Sequence, residues 1–435
     1  MKLHNFILGC LSYLMFSGLV TSCSDFLNET LTTQPDTDYF NTDKGIDELS
    51  VSLYYNLRFH FSKEWSYATT NYGTDEFTVG GDGSNKVWND YSSGFQSQIV
   101  AANSNTAMAE SLWDEMYIGI NNANLLLEKV SSDDYKGSKK ETYMGEAYFL
   151  RGFNYLKLVS QYGGVPLKLT PSVTNPEREF TRATAEETLK QIIDDLTNAY
   201  KYLPEKGNVF GKMTKDAAAH FLAKAYLLRA SEINDSWNNS TKKDDLDKVL
   251  KYSKEVISHH TLAPDFADLW NYTEPNGANE KLDEIILSAQ FSSEKSSLGQ
   301  YSNTTHLFFL SVYNNLPQMK RDIAGGREYQ RLRTTYYMYN IYDMINDSRF
   351  WKSFKTKYAV NNPTGSYYKY GDLGVMYIIN RPGDIRFDGV QLTDKIVYSK
   401  TGKTIPTVFV AYPKGQNSEA DNADDSAESV PCVAL

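Results

Sequence analysis

The chain has 435 residues, 41% of them apolar and 14% aromatic, with 32 Tyr against 21 Phe and 6 Trp. That length supports one large multilayer domain or two coupled ones, and the apolar share is enough to fill it. A net charge of −10 argues against nucleic acid or anionic lipid as the main partner, because both demand clustered positive charge.

Residues 1–22 begin with Lys2 and continue through FILGCLSYLMFSGLV without an acidic group, which predicts a secretory signal too short for a well-flanked membrane helix. Val20-Thr21-Ser22-Cys23 at its end resembles a bacterial lipobox, which implies lipidation of Cys23 with fatty acyl chains such as palmitate. The competing reading is an ordinary cleaved signal with an incidental cysteine. Cys10, Cys23 and Cys432 form neither a metal-ligand spacing nor a disulfide framework. Residues 23–42 are polar and read as a tether.

Ile46, Leu49, Leu53, Leu57 and Phe61 recur at helical spacing and predict a helix over 43–62 with Asp43 as its N-cap. Residues 64–103 break that period and mix Gly, Ser, Asn and Asp with aromatics, predicting a long functional loop. Helical spacing returns at Leu112, Met116, Ile120, Ala123, Leu127 and Val130. The stretch 141–167 is apolar nearly all round and stops at Gly163, Gly164 and Pro166, which predicts a central buried helix. After a strand-like VPLKL, Thr184 and Glu187 have capping-box spacing, and Leu189, Ile192, Ile193, Leu196, Ala199, Tyr200 and Leu203 keep one face. An alanine-rich helix begins at Thr214.

Leu246, Val249, Leu250, Ser253, Val256, Ile257 and His260 then repeat the offsets of the Leu189 helix, displaced by 57 residues. Repeated helix pairs predict an array of the tetratricopeptide type over about 104–262. The expected fold is mainly α, with irregular tetratricopeptide-like helix pairs as a scaffold, long aromatic-rich loops at about 64–103 and 263–330, and a few short strands. Candidate strands are Glu284–Leu287 and pieces of 381–413, and residues 414–435 read as a disordered tail.

Five segments in order resemble the SusD/RagB family of outer-membrane lipoproteins of Bacteroidetes. They are Cys23-Ser24-Asp25-Phe26-Leu27 behind its lipobox, EAYFLRGFNYLKLVSQYGGVPL, RATAEETLKQIIDDLTNAYKYLP, AAAHFLAKAYLLRA and GREYQRLRTTYYMYNIYDMINDSRFWKSF. The resemblance covers residues 23 to about 355 and treats 43–413 as one SusD-like domain. It implies a protein on the extracellular side of the outer membrane, lipid-anchored through Cys23, that binds glycans and works with a SusC-like TonB-dependent transporter. A RagB-like peptide binder of the same transporter class is the alternative. Members of the family usually carry a further helical segment near the carboxyl terminus, and the expectation from its lack of a counterpart after Pro413 is a shortened chain.

Non-catalytic glycan capture needs aromatic faces for the CH faces of sugar rings and amide or carboxylate groups for hydroxyls. Trp65, Tyr67, Tyr72, Asp75, Trp88, Asn89 and Tyr91 in the early loop are the candidate ligand residues, and the resemblance adds Tyr301, Phe309 and Tyr313 before the GREYQRLR segment. The bland reading is that these rings anchor a long loop. Trp113 lies on a helix and is expected in the core. Asp75-Glu76, Asp194-Asp195 and Asp343 with Asp347 are carboxylate pairs of the kind a glycoside hydrolase needs, and Asp194-Asp195 falls on a regular helix as a solvated face. His259 and His260, being adjacent, are expected to point apart, and no cofactor or metal motif is present. Gly80-Gly81-Asp82-Gly83 reads as a flexible turn, and Arg327, Arg331 and Arg333 read as internal ion-pair partners. The resulting expectation is a binding protein and not an enzyme.

Overall fold

The structure, a computed structural model, describes residues 37–62, 66, 70–82, 89, 106–172, 179–274, 277–291, 294, 302–310, 313–322, 325–363, 369–378, 408–411 and 432–433. Residues 1–36, with the expected signal and Cys23, lie outside them. So do the KIVYS strand and most of 414–435. The chain divides into two compact units, with the boundary between Asp47 and Glu48. In the first, a 3-10 turn at Thr37–Asn41 leads into α1 (Asp43–Ser62). Thr42, not Asp43, caps this helix, because its hydroxyl accepts from the Gly45 amide at 3.0 Å.

In the second unit α1 continues, followed by α2 (Thr106–Ser131), α3 (Lys140–Tyr162), α4 (Ala185–Tyr202), α5 (Lys215–Arg229) and α6 (Lys242–His259). From α2 onward each helix packs mainly on the next, which is the one-dimensional order of a tetratricopeptide-like array. The predicted stripes of α1 and α2 are buried at Leu49, Leu53 and Leu57 and at Leu112, Met116, Ile120, Ala123, Leu127 and Val130. Phe61 departs from the pattern and is 41% exposed, since the stripe drifts off the core at the last turn.

Central helix α3 buries residues on both sides, from Phe149, Leu150 and Phe153 to Tyr155, Leu158 and Val159. It ends at Gly163, whose φ of 71° only glycine adopts without strain. A Cβ on Gly145 would meet the Leu203 side chain at 2.8 Å and its backbone nitrogen at 2.9 Å, so α3 and the end of α4 touch there. The α4 capping box forms as predicted, with Thr184 and Glu187 exchanging hydrogen bonds. Thr214 caps α5, and Ala217, Ala218 and Ala225 are fully buried between neighbouring helices.

Two sequence expectations fail in the array for one reason, the position of each helix within it. Asp195 is not solvated. Arg151 grips it through Nε at 2.8 Å and Nη2 at 2.6 Å, and gives its remaining Nη1 to Asn124 at 2.8 Å. Asp194 does face water and pairs with Lys190. Arg229 of α5 grips Asp245 of α6 in the same two-pronged way, so both pairs are clasped by an Arg–Asp fork. The stripe repeated in α6 is largely exposed, with Leu250 at 56% and Ile257 at 72%, while Asp245, Tyr252 and Val256 are buried. Helix α4 is packed between α3 and α5, whereas α6 packs mainly on α5, with Tyr200 of α4 reaching Tyr252 and Glu255, and the face carrying Leu250 and Ile257 is left exposed.

Between α1 and α2 lies β1 (Phe77–Val79), and beyond α6 the chain forms further short elements: β2 (Leu332–Thr334), α7 (Tyr336–Asn340), α8 (Arg349–Ser353), β3 (Phe354–Lys355), β4 (Lys357–Ala359), β5 (Leu373–Ile378), β6 (Val408–Ala411) and β7 (Cys432–Val433). Strands β1 and β2 pair antiparallel, β3 pairs with β7, and β4, β5 and β6 make a small mixed sheet. VPLKL forms no strand, and in place of the expected strand at Glu284–Leu287 there is a turn, closed by the Ile285 amide on Leu282 O at 3.0 Å. Among the described residues no helix is long and apolar enough to cross a membrane.

Candidate functional site

The two aromatic segments singled out in the sequence are brought together, although about 250 residues separate them. In β1 and β2, Phe77 faces Thr334, Thr78 faces Arg333 and Val79 faces Leu332. The ladder is extended by Gly80 N to Arg331 O at 2.8 Å, Asp82 N to Gln330 O at 3.0 Å and Thr335 N to Glu76 O at 3.0 Å. Tyr72, Phe77, Phe308 and Leu332 form the core of this unit, with Val79, Leu307, Phe309 and Tyr329 packed around it.

Gly80-Gly81 is therefore not a free turn. A Cβ on Gly80 would meet the Gln330 carbonyl oxygen at 2.2 Å, and one on Gly81 would meet the Gln330 side-chain oxygen at 2.2 Å. Gln330 itself has a positive φ of 53°, a conformation uncommon for a residue with a side chain. Arg331 pairs with Asp82, as internal pairing predicts, and the Arg327 guanidinium lies 5.1 Å over the Tyr329 ring.

The candidate ligand residues divide sharply. Tyr72 is 4% exposed and donates its hydroxyl to Arg331 O at 3.2 Å. Tyr313 is fully buried, stacks on Tyr358 at 4.7 Å and donates to Gly326 O at 2.9 Å. Burial holds its phenol above the ordinary range. Both rings have their faces occupied by protein and act as anchors. Phe309 is half-buried, tilted on Phe77 at 5.3 Å, and keeps part of its surface open. Asp75 is exposed, and Asn89 accepts from the Gly73 amide at 3.1 Å, bracing the loop. Trp65, Tyr67, Trp88, Tyr91 and Tyr301 lie outside the described residues.

The unit is tied back to the array. Arg58 of α1 donates to Gln290 O at 2.7 Å, and the Thr304 amide donates to Phe61 O at 3.3 Å. Glu146, buried in α3, accepts from Ser50 at 2.5 Å, Tyr54 at 2.6 Å and Lys212 at 3.0 Å, locking α1, α3 and the 205–213 loop together. Burial and the neighbouring Glu146 push the Tyr54 phenol far up, so it stays a donor.

Two further expectations change. His259 and His260 do not diverge: His259 Nδ1 lies 2.9 Å from one oxygen of Asp216, and His260 Nε2 lies 3.3 Å from the other. That carboxylate raises the affinity of His259 for its proton. No group of three metal-ligating side chains occurs among the described residues. Asp347 is held locally by Arg349, and Asp343 caps the following turn through Ile345 and Asn346. Trp113 is not in the core but half-buried at the rim of a groove on α2. Its i,i+4 neighbour Tyr117 was a legible signal, since two rings at that spacing share one helix face.

The paired-helix array thus carries a braced, aromatic-rich loop unit. Residues 25–227 match the family described as SusD-like_3, starch-binding associating with outer membrane. Over that stretch the chain is similar to SusD-like proteins. It is 30% identical over 200 residues to SusD-like protein P25 of Formosa agariphila, covering 44% of this chain and 34% of that one. The matched part spans about a third of the length of the curated relatives. In fold it is similar to a SusD homolog from Bacteroides thetaiotaomicron, with a TM-score of 0.59 and 20% identity over 77% of this chain and 63% of the other. A laminarin-binding SusD-like protein gives a TM-score of 0.55 and 20% identity, over 72% of this chain and 66% of the other.

Proposed function

We propose that this chain is a surface-exposed, lipid-anchored glycan-binding protein that passes its ligand to a SusC-like TonB-dependent transporter of the outer membrane. The observation that carries the reading is the joining of the early aromatic loop to the 302–335 segment through β1 and β2. That joining gives one rigid base, with Tyr72 buried as an anchor and Asp75, Phe309 and the Arg327–Tyr329 pair at the surface. Trp65, Trp88, Tyr91 and Tyr301 supply further ring faces from the adjoining stretches of sequence. Rigid support lowers the ordering cost of binding, so weak stacking and hydroxyl contacts suffice for capture. The family description and the laminarin-binding fold neighbour support a glycan as the ligand class. Anchoring rests on Cys23, which sits at the end of the signal-like segment.

Affinity electrophoresis against a panel of polysaccharides tests this. Retarded migration with at least one glycan, reduced in Trp65→Ala and Trp88→Ala, is expected. Migration unaffected by every glycan, with peptide binding instead, would refute it, and so would release of reducing ends by the purified protein. For the anchor, Cys23→Ala is expected to abolish lipid labelling, and unchanged membrane association would count against it.

A further inference from the structure

A second aromatic cavity lies on the helical array, away from the loop unit. It holds about 530 Å³ and runs between the face of α2 that carries Trp113, Tyr117 and Asn121 and the segment that follows α3. Trp113 and Tyr117 are ring neighbours at 5.0 Å, and Tyr162 closes on Trp113 edge-on at 5.2 Å. Phe180, 46% exposed, stands on the opposite wall with the Lys168 ammonium 5.0 Å over its ring.

The walls are fixed by hydrogen bonds that leave polar capacity turned outward. Tyr117 donates to Pro166 O at 2.7 Å. Asn124 holds the carbonyls of Lys168 and Thr170 at 3.0 and 3.3 Å, and Tyr155 bonds both the amide and the carbonyl of Lys168. Asn121 accepts from the Ser172 amide at 2.7 Å through its carbonyl, which leaves its NH₂ group as a donor. Asn122 donates its amide to Ser52 at 3.4 Å, which leaves its carbonyl as an acceptor. Asp114 adds an exposed carboxylate at the mouth.

We infer that this groove is a second saccharide-binding site, for a short run of neutral sugar rings. Ring faces on two walls match the apolar CH faces of a sugar, while one amide donor, one amide acceptor and a carboxylate match its hydroxyls. Asp114 and Lys168 balance in charge, which favours a neutral ligand over a uronate or a phosphate. The volume falls in the range of small-ligand pockets, and a site braced by backbone hydrogen bonds needs little ordering on binding. The inference shares its ligand class with the proposed function, and in that sense rests on it, but it uses none of the residues of the loop unit.

Hydroxyl-radical footprinting of the full chain with laminari-oligosaccharides at millimolar concentration, read at individual aromatic residues, tests the groove. Protection of Trp113, Tyr117 and Phe180 is expected, and it should persist in Trp88→Ala. Phe180→Ala removes an exposed ring and leaves the fold intact; it is expected to weaken occupancy of the groove about tenfold. Asp114→Ala should weaken it as well. Protection confined to the 64–103 loop overturns the groove and leaves the loop reading standing. Phe180→Ala binding at the groove as tightly as the unaltered chain overturns it too, as does an absence of protection at Trp113 with every neutral gluco-oligosaccharide tried.

Discussion

Replacing Asp195 by Ala should expose how the array is held. In the folded protein the side chains of Arg151 and Asp195 are 7% and 1% exposed and share two bonds of 2.8 and 2.6 Å. Removal of the carboxylate strands a guanidinium inside the helix layer with Asn124 as its remaining close acceptor. Breaking one side of a buried pair costs about 3–5 kcal/mol, chiefly because the other charge is left uncompensated. Asp194, one residue away, pairs with Lys190 in water, and Asp194→Ala should cost no more than about 0.5 kcal/mol. Urea unfolding followed by circular dichroism reads both variants on the same scale, with the midpoint falling steeply for one and barely for the other. The double variant Arg151→Met/Asp195→Leu should recover much of the loss, since no charge then remains buried. Equal midpoints for Asp194→Ala and Asp195→Ala would refute the reasoning.

Other perturbations act on single groups. Burial, with Lys157 nearby, holds His60 well below its ordinary range. Its neutral form therefore contributes stability in full above pH 6.5, and stability is lost as pH falls below that value by up to about 1.4 kcal/mol per pH unit. His60→Leu should flatten that slope, and an unchanged acid limb in the variant would show that His60 does not set it. Burial, aided by Lys224, pushes Lys157 down to about 8. The folded state should gain stability as pH rises from 8 towards 10.5, and Lys157→Met should be more stable at pH 7 by up to about 3 kcal/mol, as measured by thermal unfolding. A variant less stable than the parent chain would contradict this. Gly145→Ala forces a Cβ onto Leu203, including its backbone nitrogen, and should cost about 1–3 kcal/mol in urea unfolding. A neutral result there would mean that α3 and α4 can move apart freely.

The helices from α1 to α5 were legible because each states its own boundaries and buried face. Thr184 with Glu187, Thr214, and Gly163 mark ends through local hydrogen bonding or backbone freedom, which a sequence reports directly. The exposed stripe on α6 was not legible, since Leu250 and Leu246 carry the same pattern as Ile193 and Leu189 and differ only in what stands opposite. The same holds for Asp195 beside Asp194: the two have equal chemistry and adjacent numbers, yet Arg151 waits for only one of them. For the candidate site, aromatic content singled out two segments that the structure joins, but not the role of each ring. Tyr72 and Tyr313 have hydroxyl partners 259 and 13 residues away, and no local pattern distinguishes such an anchor from an open binding face.

By itself the sequence determined the paired-helix scaffold, the break in period at 64–103 and the resemblance to SusD-like proteins, because these follow from spacing, capping and recurring segments. Only the tertiary structure decided that residues 70–82 join residues 302–335, that His259 and His260 converge on Asp216, and that Trp113 and Tyr117 line a groove with Phe180. Periodicity reports which way a side chain faces along its own element. What it meets there is set by packing between elements distant in the chain.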